Sequence, residues 1–360
     1  MSNHPVILNA SFNNSSLHFS SSVNGTEPPH FAIWTIAAPF IALLTNSAAI
    51  ILMVCNEKLR TPFNVYIMAL MLSNIAYVTI AGILSLTNAR YIYQNWTLGV
   101  ALCTVRIYTD YAVSAVTVHL HLLVSLSRAW ALFGPMSYRS HHTRRLAVMF
   151  CVGMVLYVHI LLLPGIILDA VYYRLPVENG CWVNNSRQMV WSTFTTVVVF
   201  DIPKLFIPVC YPVLLWKTLQ RRKIGATLRG QMNDRAPTAP SPSTASNARA
   251  DNMVRRESAA SRPFIVLTLF TVGIVVCWIP GLVLYLLVNF ISRKDISMFY
   301  TVSAILYSLQ AILDPVFFCL SVKDLRSRLC LMGGPVYALL RCRVQLTLHA
   351  ITSFFYQCWP

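Results

Sequence analysis

Charge is what this sequence has least of. Of its 360 residues only 11% are charged, while 56% are hydrophobic. A soluble domain carries about 25% charged residues, so a water-facing globular surface is excluded for most of the chain. Acids are scarcer than bases, 12 against 28. That excess does not mark a nucleic-acid binder, because the bases sit between apolar runs and not along an amphipathic surface. The arrangements that enzymes need are also missing. No paired carboxylates, metal-ligand spacing, glycine-rich phosphate loop or nucleophile constellation falls on a water-facing segment. An enzyme is therefore not expected, nor a metal or cofactor. No short apolar run with small-residue cleavage flanks opens the chain, so no cleaved signal peptide is expected either.

What is there is a series of long apolar runs. Seven can be drawn, at about 32–55, 65–87, 103–129, 146–170, 191–216, 263–290 and 298–320. Each is near or above the ~20 residues that cross a bilayer as a helix. The fifth is the weakest, since Asp201 and Lys204 interrupt it. The expected fold is an all-α membrane protein, a seven-transmembrane helix bundle with a short amphipathic helix, Ser321–Leu331, after the seventh span. Residues 1–31 read as an extracellular tail, 32–331 as the bundle, and 332–360 as a cytoplasmic tail. Within the bundle, 216–262 form a basic, then Pro/Ser/Ala-rich third cytoplasmic loop with little fixed structure.

Loop charge sets the orientation. Segments 56–64, 128–145, 217–262 and 321–360 hold 21 of the 28 bases, and residues 1–31 hold none. Positive residues stay inside, so the N-terminus is expected outside the cell and the C-terminus within. The Asn-x-Ser/Thr sequons agree, since all lie in expected outer segments: Asn9, Asn13, Asn14, Asn24, Asn95 and Asn184. Of ten cysteines, only Cys103 and Cys181 fall at outer edges, where an oxidising environment allows a disulfide. They are expected to pair.

The stretch Cys103–Tyr138 organises the rest. As a helix it carries Asp110 near one end and Arg128 near the other, 18 residues or about 27 Å apart. Eighteen residues are about five turns, so both charges share a face with Ser114, Thr117, His121 and Ser125. An unpaired charge facing lipid costs at least a few kcal/mol. This span is therefore expected at the bundle centre, with a polar pocket outside and a base inside. Prolines 203, 208 and 212 should bend span five, and Cys277-Trp278-Ile279-Pro280 should kink span six.

Together these landmarks resemble the rhodopsin-like (class A) G-protein-coupled receptors over about 32–331. The resemblance rests on Asn46, Trp96 and Gly99, the Cys103–Cys181 pair, and Arg128 with Pro135 seven residues on. It also rests on Pro208, Trp278-x-Pro280 and Asp314-Pro315-x-x-Phe318. DYAVS at 110–114, PMSYR at 135–139 and FIPV at 206–209 look aminergic, and most like muscarinic acetylcholine receptors. The resemblance implies a plasma-membrane receptor for a small cationic ligand, an amine or acetylcholine-like molecule. The cation would sit at Asp110, with Tyr111, Ser114, Trp278 and Tyr307 around it. A heterotrimeric G protein would meet Arg128, with Pro280, Asn74, Asp314, Pro315 and Phe318 serving activation. Arrestin, kinases and the lipid bilayer are further implied partners. No lysine stands in span seven, which argues against a retinal Schiff base.

The departures from the family are specific. Asn74 stands where the family has Asp and Asp314 where it has Asn, a reciprocal swap that resembles the gonadotropin-releasing-hormone receptors. Ser127 and Ala129 flank Arg128 in place of Asp and Tyr, so basal activity is expected to be raised or absent. Trp216 and Phe318 replace activation tyrosines, and Gly281, Leu282, Ala304 and Ser308 replace much of the muscarinic aromatic cage. Several residues keep two readings. Asp110 binds a ligand cation or pairs internally with Lys204. Lys204 pairs with Asp201 or takes a ligand carboxylate, which would suit a zwitterionic ligand. His121 pairs with Asp314, or stays neutral on a backbone carbonyl or water. A peptide ligand, or a non-signalling scaffold or decoy, stands as the alternative to an amine receptor.

Overall fold

The computed structural model describes residues 29–87, 96–176, 181, 183–234, 268–287 and 293–321. Sequons Asn9, Asn13, Asn14, Asn24 and Asn95 lie outside these residues. So do most of the third loop, the amphipathic stretch beyond Ser321, and the tail at 332–360.

Every regular element among the described residues is helical, as the apolar runs require. In lipid each backbone group must be satisfied within its own segment, which a helix achieves. Span one is Pro29–Cys55, and span two is Pro62–Thr87. Both open on proline, whose fixed φ and missing N–H suit the first helical turn. Span one thereby starts inside the stretch read as a tail. Span three is Gly99–Phe133, and span four Arg144–Tyr173. Between them lies a short helix, Pro135–His141, and Thr143 then caps span four by accepting from the Leu146 N–H. Gly99, at φ 78°, turns the chain into span three, a conformation that costs glycine little. Trp96 Nε1 donates to the Gly99 carbonyl at 2.7 Å and fixes that turn.

Span five begins at Met189 and runs on to Asp234. This corrects the expected end near 216. The residues from Lys217 onward are rich in Leu, Gln, Lys and Arg, good helix formers that carry the helix past the apolar run. Spans six and seven contain the apolar helices Thr268–Val283 and Ile305–Leu320. Trp278 interrupts the regular helix just before Ile279–Leu287, with Pro280 at the second residue of the new segment.

Three wide π turns interrupt the bundle, at Thr109–Val113, Asp169–Tyr173 and Thr196–Asp201. Each holds an acid: Asp110, Asp169 or Asp201. The last directly precedes Pro203, which cannot donate to the carbonyl four residues back. Such turns are single-turn insertions that concentrate at functional sites.

Span three sits at the centre, as its polar stripe demands. Ser114, Thr117, His121 and Ser125 are all buried. Its apolar flanks pack Leu120 and Val124 with Tyr66, Ile67 and Leu70 of span two. Ala112 and Ala115 meet Val158 and Leu162 of span four, and Val118 meets Ile207, Ile274 and Trp278. Lipid tails are as apolar as leucine, so close packing and buried polar contacts hold such helices together. Asn46 does both, donating to the carbonyls of Ala42 at 2.7 Å and Ala311 at 2.8 Å, which ties span one to span seven.

Candidate functional site

The bundle carries three polar layers, described here from the disulfide end, called outer, to the Arg128 end, called inner. At the outer end Cys103 and Cys181 form the expected disulfide. A second tie, not foreseen, reinforces it. Fully buried Asp169 pairs with Arg174 at 2.7 Å and accepts from the Asn184 backbone N–H at 2.8 Å. Arg174 also donates to Thr104 Oγ1 at 2.7 Å. The segment after span four is thus held to the top of span three. The side-chain amide of Asn184, a sequon residue, donates to the Tyr173 carbonyl at 2.9 Å.

Asp110 lies one layer in, and its partner corrects the sequence expectation. The carboxylate pairs with Arg106, one turn back on the same helix, at 3.4 Å, and not with Lys204. An acid and a base four residues apart on a helix are neighbours, so this pair was readable and was missed. The Arg106 guanidinium also lies 5.8 Å from the Trp96 ring. The Asp110 side chain keeps 37% of its surface accessible, unlike the buried stripe below it. The wide turn at Thr109–Val113 explains that. Its extra residue offsets Asp110 by up to roughly 100° from where a regular α-helix would aim it. Ser114 Oγ donates to the Asp110 carbonyl, and the Tyr111 ring meets Phe200 edge-on at 6.4 Å.

A cavity of about 260 Å³ opens between spans five, six and seven. Span five contributes Thr196, Phe200, Asp201 and Lys204; span six contributes Cys277, Trp278, Gly281 and Leu282; span seven contributes Ser303 and Tyr307. Of the six expected ligand residues the cavity wall includes Lys204, Trp278 and Tyr307. Asp110, Tyr111 and Ser114 stand beside it and not on it. Tyr111 joins the two groups, since its ring meets Phe200 of the wall. The Tyr307 ring also stacks on Trp278 at 6.0 Å. Lys204 Nζ lies 5.2 Å from the Phe200 ring and within electrostatic reach of Asp201.

Beneath Trp278 lies a polar centre built on Asp314, which is fully buried. Its Oδ2 accepts from Asn74 Nδ2 at 3.0 Å and faces His121 Nε2 at 3.2 Å. Its Oδ1 accepts from Gln310 Nε2 at 2.6 Å. Asn74 also donates to Asn46 Oδ1 at 3.3 Å. The His121 ring sits 5.1 Å from Trp278 and 5.4 Å from Phe270, both edge-on. The reciprocal Asn/Asp exchange and the His121–Asp314 contact thus meet in one cluster, with Pro315 and Phe318 following on span seven. Phe318 itself is buried among Tyr66, Leu70 and Leu123.

The inner layer is aromatic. Among the described residues no acid pairs with Arg128, and Ser127 Oγ turns back to the Val124 carbonyl at 2.9 Å. The guanidinium instead lies 3.1 Å over the Phe63 ring, a cation–π contact. Nearby, Tyr66 Oη meets His142 Nε2 at 3.1 Å, and His142 stacks on Tyr138 at 4.3 Å. Burial, with Arg128 close by, pushes the His142 imidazole below its ordinary range. Burial also raises the Tyr138 phenol, partly countered by Arg128.

The model of the seven-transmembrane receptors of the rhodopsin family matches residues 45–318. Among curated proteins, the chain is 27% identical over 236 residues to muscarinic acetylcholine receptor gar-3 of Caenorhabditis elegans, covering 63% of this chain and 38% of that one. It is 27% identical over 234 residues to mouse muscarinic acetylcholine receptor M5 (60% and 43%). It is 24% identical over 212 residues to human muscarinic acetylcholine receptor M1 (57% and 45%). The alignments therefore span less than half the length of these relatives.

Proposed function

This chain belongs to the rhodopsin family of seven-transmembrane receptors, and from that premise we propose that it binds a small extracellular cationic ligand and signals to a heterotrimeric G protein. The supporting observation is Asp110, a carboxylate that stays partly accessible at the outer end of the central helix. Among the described residues its salt bridge is a single contact of 3.4 Å to Arg106, so a ligand ammonium can compete for it. Displaced, Arg106 still has the Trp96 ring for company. In a dehydrated site a carboxylate attracts a cation far more strongly than in water. The ligand body would occupy the adjoining cavity, against Phe200, Trp278 and Tyr307, with Tyr111 and Ser114 at its edge. The names of the muscarinic relatives support an amine or acetylcholine-like cation.

Coupling would run through the Trp278–His121–Asp314 column to the inner face. Trp278 and Pro280 sit where span six is interrupted, and a kinked helix is a two-state element. Opening there would release Arg128 from Phe63 to meet the G protein, in a plasma-membrane receptor whose N-terminus is outside. A ligand drives this only through its difference in affinity for the two states. The test is a panel of amines read as thermal stabilisation of purified wild type and Asp110→Asn. Amines should stabilise the wild type and not the variant. Equal stabilisation of both would overturn the reading.

A second reading is a heptahelical scaffold without G-protein signalling. It is favoured by the aromatic seat of Arg128, whose Nε is buried without a partner. Receptor-independent rates of nucleotide exchange on a purified G protein would support the scaffold and exclude signalling.

A further inference from the structure

We propose that Lys204 makes the cavity between spans five, six and seven a carboxylate subsite, so that the ligand is a zwitterion: a small amine that also carries an acid. This rests on the amine-receptor reading above and names its ligand class.

Among the described residues, four ionisable side chains of spans three and five stand on or beside the cavity: Arg106, Asp110, Asp201 and Lys204. Arg106 and Asp110 form an ion pair at 3.4 Å. Lys204 has no such contact among the described residues. Its ammonium faces the Phe200 ring at 5.2 Å and feels Asp201 only at longer range. An ionisable group at membrane depth without a paired counter-ion costs several kcal/mol, which a bound anion removes.

Two other polar groups of the wall point the same way, while Asp201 is its one acid among the described lining residues. Trp278 Nε1, which can only donate, is buried without a partner among the described residues, and so is Ser303 Oγ. The wall thus offers three donor groups in need of acceptors, on Lys204, Trp278 and Ser303, and a carboxylate supplies two oxygens with four lone-pair sites. A ligand with only a cation would leave all three unanswered and set a second positive charge near Lys204. Volume fits as well. About 260 Å³ lies just under the ~300–1,000 Å³ of drug-sized sites, which suits a molecule the size of an amino acid.

The test uses the full-length purified receptor and matched probes: tyramine and tyrosine, histamine and histidine, choline and carnitine. Thermal-shift titrations are run on wild type, Lys204→Met, Lys204→Arg and Asp110→Asn. At least one acid-bearing probe should bind wild type about tenfold more tightly than its parent amine, the worth of one charge-assisted contact. Lys204→Met should abolish that preference, Lys204→Arg should retain it, and Asp110→Asn should lose both probes. If Lys204→Met does not fold, Lys204→Gln carries the same expectation. The proposal falls if amines bind wild type without any preference for the acid partner, or if the preference survives loss of Lys204. It also falls if Lys204→Met loses amine and acid alike, which marks a purely structural lysine. Binding of no probe to wild type would instead overturn the amine-receptor reading itself.

Discussion

Asp314→Asn is the sharpest single perturbation of the bundle centre. Three donors converge on this carboxylate, from Asn74 at 3.0 Å, His121 at 3.2 Å and Gln310 at 2.6 Å. A hydrogen bond to a charged acceptor contributes about 1.5–3 kcal/mol. The asparagine keeps one acceptor oxygen and turns an NH₂ toward the other donors, so at least one bond becomes a donor–donor contact. Relief from holding a buried charge returns part of the loss, leaving a net cost of about 2–4 kcal/mol. At roughly 2–4 °C per kcal/mol for larger domains, the melting temperature should fall by several degrees in detergent. The exchange partner sharpens the test. Asn74→Asp alone sets a second acid 3.0 Å from the first, and should be worse than Asp314→Asn. Combining the two restores one acid and one amide in contact, so the double variant should recover at least ~1 kcal/mol beyond additivity. Thermal unfolding of all four proteins completes the cycle. Additive effects, or an Asp314→Asn that melts with the wild type, would refute the reasoning.

Other perturbations test other layers. Gly165 faces Trp191 so closely that an added Cβ would overlap its ring; Gly165→Ala should displace the indole from its 3.0 Å bond to the Leu161 carbonyl and cost about 1–3 kcal/mol, read by thermal unfolding. Arg174→Ala strands buried Asp169 and should cost about 3–5 kcal/mol, seen as loss of surface expression, with Asp169→Asn/Arg174→Gln milder than the single variant. The inner end should lose stability in acid. The His142 imidazole is held below its ordinary value, so folded and unfolded forms differ in proton binding only below that value. Stability is then full above about pH 6.5 and falls as the pH drops from there toward the depressed value. His142→Phe should flatten the difference in melting temperature between pH 7.5 and 5.5; an unchanged difference would count against it. Ser127→Asp should give Arg128 a carboxylate in place of the Phe63 ring and lower basal nucleotide exchange, whereas equal basal rates would show that the aromatic seat already restrains the arginine.

Much of this architecture could be read from the chain alone. Apolar length places the spans, and the polar stripe from Ser114 to Ser125 places span three at the centre, where all four stripe residues are buried. The His121–Asp314 contact was one of two readings that family spacing left open for His121, whereas the Asn74–Asp314 contact was not foreseen beyond the exchange of the two residue types. The geometry of the outer site did not, because it depends on the wide turn at Thr109–Val113. A single inserted residue leaves no periodicity of its own, yet it takes Asp110 off the stripe. The Arg106–Asp110 pair had a local signal, an i,i+4 spacing, that attention to distant partners such as Lys204 obscured. Phe63 beneath Arg128 had none, since a ring 65 positions away becomes a neighbour only through tertiary packing. The long inner extension of span five was hidden by composition. Basic residues signal a cytoplasmic segment but are equally good helix formers.

The account turns on whether a cation arriving at Asp110 changes the inner face. The direct measurement is amine-stimulated nucleotide exchange on a purified G protein, comparing reconstituted wild type with Asp110→Asn. Stimulation should appear with the wild type and vanish with the variant while basal exchange persists; equal stimulation by both proteins would contradict it.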